Sequence, residues 1–250
     1  MNELSALEMA VACAAVTLGY TVFGMTGFGA NIVALPVLAH VMSLRFAVPM
    51  LLVLDLLSST LMSARHRTSV DTGELKPLLL PMLAGMVLGL PLLRHAAEHW
   101  LLLLLGLFVG GFAIRSLWGG SDRRALAPGW VWPAGMVGGA FSTIFGTGGP
   151  VYTLFLAHRI TDTDRLRSTL GAVILISALV RLVLFTGSGF LAQPGLPFLA
   201  AMLVPCALAG YAIGSRVHSR MPQAQVRRVI WVLLLVASVS LLLRGLAQGR

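Results

Sequence analysis

Residues 145–149 read FGTGG and residues 28–31 read FGAN, and each stretch interrupts a long apolar run that resumes at once. Glycine lets a chain turn with φ > 0 and lets a ligand approach the backbone closely. A non-helical stretch at membrane depth exposes N–H and C=O groups that lipid cannot satisfy, so it survives only inside protein or against a water-filled cavity. Two such breaks, each restarting a helix, would aim free N–H groups and positive dipole ends at that cavity, which is the chemistry of an anion site. The competing reading is that these glycines only let helices pack closely, as small residues do in membranes.

The surrounding sequence makes membrane the relevant solvent. Of 250 residues, 57% are hydrophobic and 11% charged, whereas a soluble domain carries about 25% charged residues. Runs at 46–64, 77–93, 100–118, 168–186, 195–214 and 229–243 are apolar enough to cross, since a helix needs about 20 such residues to span the hydrocarbon. The last is short and must draw on its flanks. The leader MNELSALE carries Glu3 and Glu8 and no basic residue, so it does not read as a secretory signal. Cys13 and Cys206 lie in apolar runs without metal-ligand spacing and read as buried structural thiols.

Charge sets the expected topology. Of 18 Lys and Arg, 13 fall in four groups around Arg65–Lys76, Arg115–Arg124, Arg159–Arg167 and Arg216–Arg228, and the positive-inside rule assigns all four to the cytoplasm. The scatter of these charges through short loops excludes a nucleic-acid surface. The uncharged segment 186–195 and the acidic N-terminus belong outside. Eight simple crossings cannot satisfy this, but they can if 8–42 and 130–158 are hairpins that each return to their own face. FGANIVALPVLAH ends at His40 and FGTGGPVYTLFLAH at His158, so the hairpins resemble each other, with one residue inserted in the second. The expected fold is therefore all-α: two inverted repeats, each a re-entrant or broken-helix hairpin plus three transmembrane helices, about eight hydrophobic segments in all. Residues 1–118 form the first repeat, 119–129 a cytoplasmic linker and 130–250 the second.

The stretches GMTGFGANIVALPVL, SLRFAVPM and GGAFSTIFGTGGPVYTLFL resemble the sulfite exporter family TauE/SafE, over nearly the whole chain. That resemblance implies a multi-pass carrier of the bacterial cytoplasmic membrane for small anions: sulfite, sulfonates such as sulfoacetate, or related organic acids. The chain departs from the fuller family pattern. Ala30 and Asn31 stand where more glycine is usual, though Pro36 is kept, and Gly148 and Gly149 are kept with Pro150 early and Leu154 at the later position.

The expected substrate-binding residues are Gly27, Phe28, Gly29 and Asn31 in the first break, Gly146, Thr147, Gly148 and Gly149 in the second, and Arg181. Asn31 would either donate its amide to an anion or cap the helix that follows. Ser142 and Thr143 fit bonds to their own backbone, which Thr147, inside the turn, escapes. Asp55 and Arg181 lie deep in their spans, where an ionisable group is a functional candidate by default. Asp55 is a candidate for proton coupling, and a structural bridge between the two is the alternative. His40, His158 and Arg45 read as interfacial residues, as do Trp100, Trp118, Trp130 and Trp132.

The function expected is a secondary transporter of a small anion by alternating access around the two breaks, with a passive channel as the alternative. An intramembrane enzyme is disfavoured: there is no nucleophile elbow, no His-Glu-x-x-His site and no close Asp pair on a helix face. A scaffold role would leave Asp55 and Arg181 dispensable. Neither cofactor nor metal is expected. The partners are the anion and the bilayer, with a homodimer left open.

Overall fold

A computed structural model describes residues 5–65, 70–118, 127–218 and 223–248. The described residues form ten α-helices: α1 (Ala6–Thr26), α2 (Ala30–Leu38), α3 (Leu44–Arg65), α4 (Thr72–His95), α5 (Glu98–Trp118), α6 (Val131–Phe145), α7 (Gly149–Leu156), α8 (Thr163–Gly187), α9 (Leu196–His218) and α10 (Gln223–Gln248). The chain is an all-α membrane protein. Six of these helices are long and apolar enough to cross a bilayer: α1, α3, α4, α5, α8 and α9. A pair of short-turned helices followed by three long ones occurs twice in the order. The last helix, read from its apolar stretch as 229–243, runs for 26 residues, so it does draw on its flanks. The expected linker 119–129 lies largely outside the described residues, as do Arg67, Arg123, Arg124 and Arg220.

Local chemistry explains the ends. Ser5 and Glu8 form a capping box at the start of α1: the Ser5 hydroxyl accepts from the Glu8 N–H, and the Glu8 carboxylate accepts from the Ser5 N–H at 2.8 Å. Asp162 starts α8 by accepting from the N–H groups of Asp164 and Arg165, each at 2.9 Å. Both are the side-chain caps that orphaned first-turn donors require. Large apolar side chains such as Val87, Leu107, Val183 and Val236 stay exposed along the long helices, as lipid-facing surfaces demand.

The chain divides into two compact units, each built from both halves of the sequence. The first comprises Met1–Ala47, Ala96–Ser121 and Phe198–Arg250, and so holds α1, α2, α5, α10 and nearly all of α9. The second comprises Val48–His95 and Asp122–Pro197, and holds most of α3 with α4, α6, α7 and α8.

Glycines four residues apart mark the helix contacts within each unit. In the first, a Cβ added at Gly210 would stand 2.4 Å from the Thr17 carbonyl and one at Gly214 2.0 Å from that of Thr21. In the second, a Cβ at Gly85 would stand 2.0 Å from the Met136 carbonyl and one at Gly89 2.9 Å from that of Ala140. These are small-xxx-small contacts, in which bare backbone lets two helices approach.

Their registers also give directions. Thr17 and Thr21 pair with Gly210 and Gly214 in rising order, so α1 and α9 run parallel. Gly106 meets Leu242 while Gly245 meets Leu103, so α5 and α10 run antiparallel. Antiparallel α5 and α10 require the chain between Trp118 and Thr163 to return to its starting face, and parallel α1 and α9 then require the same of the chain before Leu44. If either hairpin were a single crossing, one of these pairs would be reversed. Close contacts inside each hairpin agree: Gly19 faces Ala30 and Ala34 across the first break, and Gly138 faces Tyr152 across the second.

Candidate anion site at the second helix break

Both breaks are where the glycines are. In the first, Gly27 (φ +84°) closes α1 and Gly29 (φ +92°) opens α2, both in the left-handed region. In the second, Gly146 (φ +69°) closes α6. Gly148 is different: its φ of −65° suits any residue, but an added Cβ would lie 2.6 Å from the Gly138 carbonyl and 2.8 Å from the Tyr152 ring. It is glycine for space, which is the packing reading, while Gly27, Gly29 and Gly146 are glycine for conformation.

The breaks are unequally enclosed. Phe28 and Gly29 are half-buried, whereas Phe145, Thr147, Gly148, Gly149 and Pro150 are all buried. Asn31 falls not in the turn but within α2, whose N-cap is Gly29 with no side-chain bond. Its side chain, only 3% exposed, therefore does not cap the helix. At the start of α7 no side chain caps either. Val151 and Tyr152 donate to the Gly148 carbonyl at 3.1 and 3.2 Å, and Pro150 has no N–H. The first-turn donors are therefore those of Gly148 and Gly149.

The second unit also brings Asp55 and Arg181 together. Asp55 is the twelfth residue of α3 and Arg181 the nineteenth of α8, deep in their helices. The Arg181 Nη2 donates to Asp55 Oδ2 at 3.1 Å, with the arginine side chain 2% exposed. The bridge expected as an alternative therefore exists, yet it engages a single guanidinium nitrogen. Nε and Nη1 are buried and meet no acceptor among the described residues.

The same unit holds further unpartnered donors. The hydroxyls of Ser58, Ser59, Thr143, Thr147 and Tyr152 are buried without a hydrogen-bond partner among the described residues. With the two Arg181 nitrogens they make seven atoms on six residues, all in the second unit. Ser58 and Ser59 follow Asp55 by three and four residues and so share its face of α3. Ser142, on the last turn of α6, hydrogen-bonds Ser177, and Ser177 stands one turn before Arg181 on α8. The Tyr152 phenol lies within electrostatic reach of Arg181.

Elsewhere membrane threonines do what their type ordinarily does. Thr21, Thr60, Thr153 and Thr186 each donate to the carbonyl four residues back, at 2.7, 2.7, 2.8 and 2.7 Å. Ser142 and Thr143 were expected to behave in this way and do not. Tyr152, Ser58, Ser59 and Ser177 carried no signal in the sequence, because a lone hydroxyl in an apolar run reads as packing until its neighbours are known.

The remaining candidates are structural. His40 and His158 each place Nδ1 on the carbonyl four residues back, Pro36 at 2.8 Å and Leu154 at 2.6 Å, and the His40 Nε2 also meets Ser240. Arg45 reaches the Ala96 carbonyl, tying the start of α3 to the turn before α5. Trp100, Trp130 and Trp132 are exposed, as interfacial rings are, and Trp118 is not among the side chains described. Cys13 and Cys206 are free thiols but only partly buried.

Fold and site together define a polytopic membrane protein with broken helices and a buried, donor-rich cation site. The sequence profile of the sulfite exporter TauE/SafE family matches residues 11–241, and the chain belongs to that family of membrane transporters. It is 26% identical over 193 residues to "Probable inner membrane transporter protein TsaS" of Comamonas testosteroni, covering 77% of this chain and 81% of the relative. No solved structure matches.

Proposed function

We propose that the protein is a secondary carrier that moves a small anion by alternating access. The observation that supports this best is the set of buried, unpartnered donors that the second unit holds together with Arg181 and the second break. A buried polar group without a partner costs free energy, and five hydroxyls with two guanidinium nitrogens are donors of the kind an anion accepts from. The Gly148 and Gly149 N–H groups at the start of α7 add backbone donors of the same polarity. The family and the relative's name as an inner membrane transporter favour a sulfur oxyanion, an organosulfonate or a related organic anion, carried across a bacterial inner membrane, and the acidic leader without a basic residue favours an N-terminus outside. The first break, with Gly27, Phe28, Gly29 and Asn31, supplies equivalent backbone donors in its own unit.

Asp55 keeps Arg181 charge-compensated when no anion is bound. An anion arriving at Arg181 meets the Asp55 carboxylate too, and protonation of that carboxylate removes the repulsion. Proton coupling through Asp55 follows. The test is purified protein in liposomes, offered labelled sulfite, sulfoacetate and a carboxylate analogue, with and without a pH gradient. Uptake accelerated by unlabelled anion on the far side supports a carrier; uptake without that acceleration makes it a passive channel, and no flux of any small anion sinks the reading.

A further inference from the structure

We infer that Ser142 and Ser177 are positioning residues of the anion site, whose mutual hydrogen bond holds the second break in register with Arg181. This deepens the carrier reading above and rests on it. The two serines share a hydrogen bond between α6 and α8, and both are buried, at 3% and 2% exposed. A serine inside a helix ordinarily finds its partner on its own backbone, about a turn back. Ser215 and Ser238 do so, donating to the carbonyls of Ala212 and Leu235 at 3.0 and 2.9 Å. Ser142 and Ser177 bond each other across two helices instead.

Each serine is fixed to one part of the site. The Ser142 carbonyl accepts from the Gly146 N–H at 2.8 Å, while the Thr147 N–H reaches back to the Phe141 carbonyl at 3.3 Å, the paired bonds that close a helix at a left-handed glycine. The Ser142 Cβ also lies against the start of α7, 3.0 Å from where a Cβ on Gly148 would stand. Ser177 stands four residues before Arg181 and so on the same face of α8, and the tilt of helical side chains toward the N-terminus leans Arg181 back over it. Apolar side chains join α7 to α8 as well: Tyr152, Phe155 and Val173 share a cluster, with Ile176 and Val180 packed on it. Burial of that kind is non-directional, whereas a hydrogen bond weakens steeply once its distance or angle is lost. An anion that accepts from Arg181 and from the Gly148 or Gly149 N–H needs both within reach at once, and the serine pair supplies that register. Hydrogen bonds between membrane helices add little to stability, so the consequence of this one lies in the geometry it fixes.

Either Ser142→Ala or Ser177→Ala removes the bond, and the double change removes it without stranding a hydroxyl. The experiment measures equilibrium exchange of labelled sulfite and labelled sulfoacetate in liposomes, across anion concentrations, for wild type, the two single variants and the double, with a thermal melt of each in detergent. The result expected is a half-saturating concentration raised about tenfold in all three variants, the scale on which residues that support metal ligands from behind change affinity, and a maximal exchange rate changed less than about twofold. One substitution already breaks the bond, so the double variant should shift no further than either single one. The melt should follow a different order, lowest in the single variants and nearer wild type in the double, where both partners are gone. Equal melts with the tenfold shift retained support the inference equally. A half-saturation that follows the melt and recovers in the double overturns it, since the bond is then structural only. Shifts that multiply in the double, a shift in one single variant alone, no shift in any, or a loss confined to the maximal rate overturn it too, and each leaves the carrier reading intact. Single variants that fail to accumulate make the bond structural and overturn it likewise. Wild-type protein that exchanges neither anion overturns the carrier reading and the inference together.

Discussion

Arg181 and Asp55 meet through a single contact, Nη2 to Oδ2 at 3.1 Å, on two long helices that are far apart in sequence. Removing one partner of a buried pair leaves an uncompensated charge, and that costs about 3–5 kcal/mol. Asp55→Asn should therefore lower the melting temperature in detergent markedly while keeping the shape of the site. Arg181→Lys keeps the charge but loses the separate Nε and Nη1 donors, so its melt should fall less than its anion exchange does. A Lys variant that transports like wild type would show that charge alone suffices at this position.

The two kinds of break glycine should separate on substitution. Gly29 is in the left-handed region at φ +92°, with its nearest non-local atoms, Val22 Cγ1 and Ile32 Cδ1, at 3.7 and 3.8 Å. There Gly29→Ala meets no clash and costs about 1–2 kcal/mol of backbone strain. Gly148→Ala carries no such strain but drives a methyl into the Gly138 carbonyl and the Tyr152 ring. We expect Gly29→Ala to lose stability and keep most exchange activity, and Gly148→Ala to lose exchange in excess of its stability change. Melts and counterflow on the same preparations decide it.

The glycine contacts between helices give a sharper contrast. Gly214→Ala would place Cβ 2.0 Å from the Thr21 carbonyl, whereas a Cβ at Gly111 meets nothing within 4 Å. Overpacking of this kind costs about 1–3 kcal/mol or more, and alanine in an open helix position is favourable by about 0.5–1 kcal/mol relative to glycine. Gly214→Ala should thus melt lower than wild type and Gly111→Ala at or above it. Equal melts for the two would mean that α1 and α9 do not pack at this register.

What could be read from sequence followed from rules with few exceptions in a bilayer. Apolar run length located the long helices to within about six residues at either end, and the grouping of charge made the two glycine breaks the expected hairpin tips. What could not be read depends on which helices meet. The units mix α3 and α4 with the second hairpin, and nothing in a linear pattern announces that Asp55 faces Arg181 or that Tyr152 lies beside α8. Asn31 reads from sequence as part of the turn, whereas the turn ends at Gly29 and Asn31 is the second residue of α2. The Ser5–Glu8 capping box stands in the sequence as Ser-x-x-Glu ahead of an apolar run, a signal separate from the leader's charge.

The parallel packing of α1 and α9 makes its own prediction through Cys13 and Cys206. Thr17 opposes Gly210, and one turn earlier on both helices stand the two cysteines. A disulfide needs Cα atoms about 4.4–6.8 Å apart, a separation that helices packed backbone to backbone readily give. Mild copper–phenanthroline oxidation should therefore join them within one chain, giving a linked peptide pair by mass spectrometry that Cys13→Ser abolishes. Were α1 and α9 antiparallel, Cys13 would face the far end of α9 and no bond could form. Because that direction is what requires the first hairpin to return to its own face, the crosslink tests the folding-back at FGAN without any assay of transport.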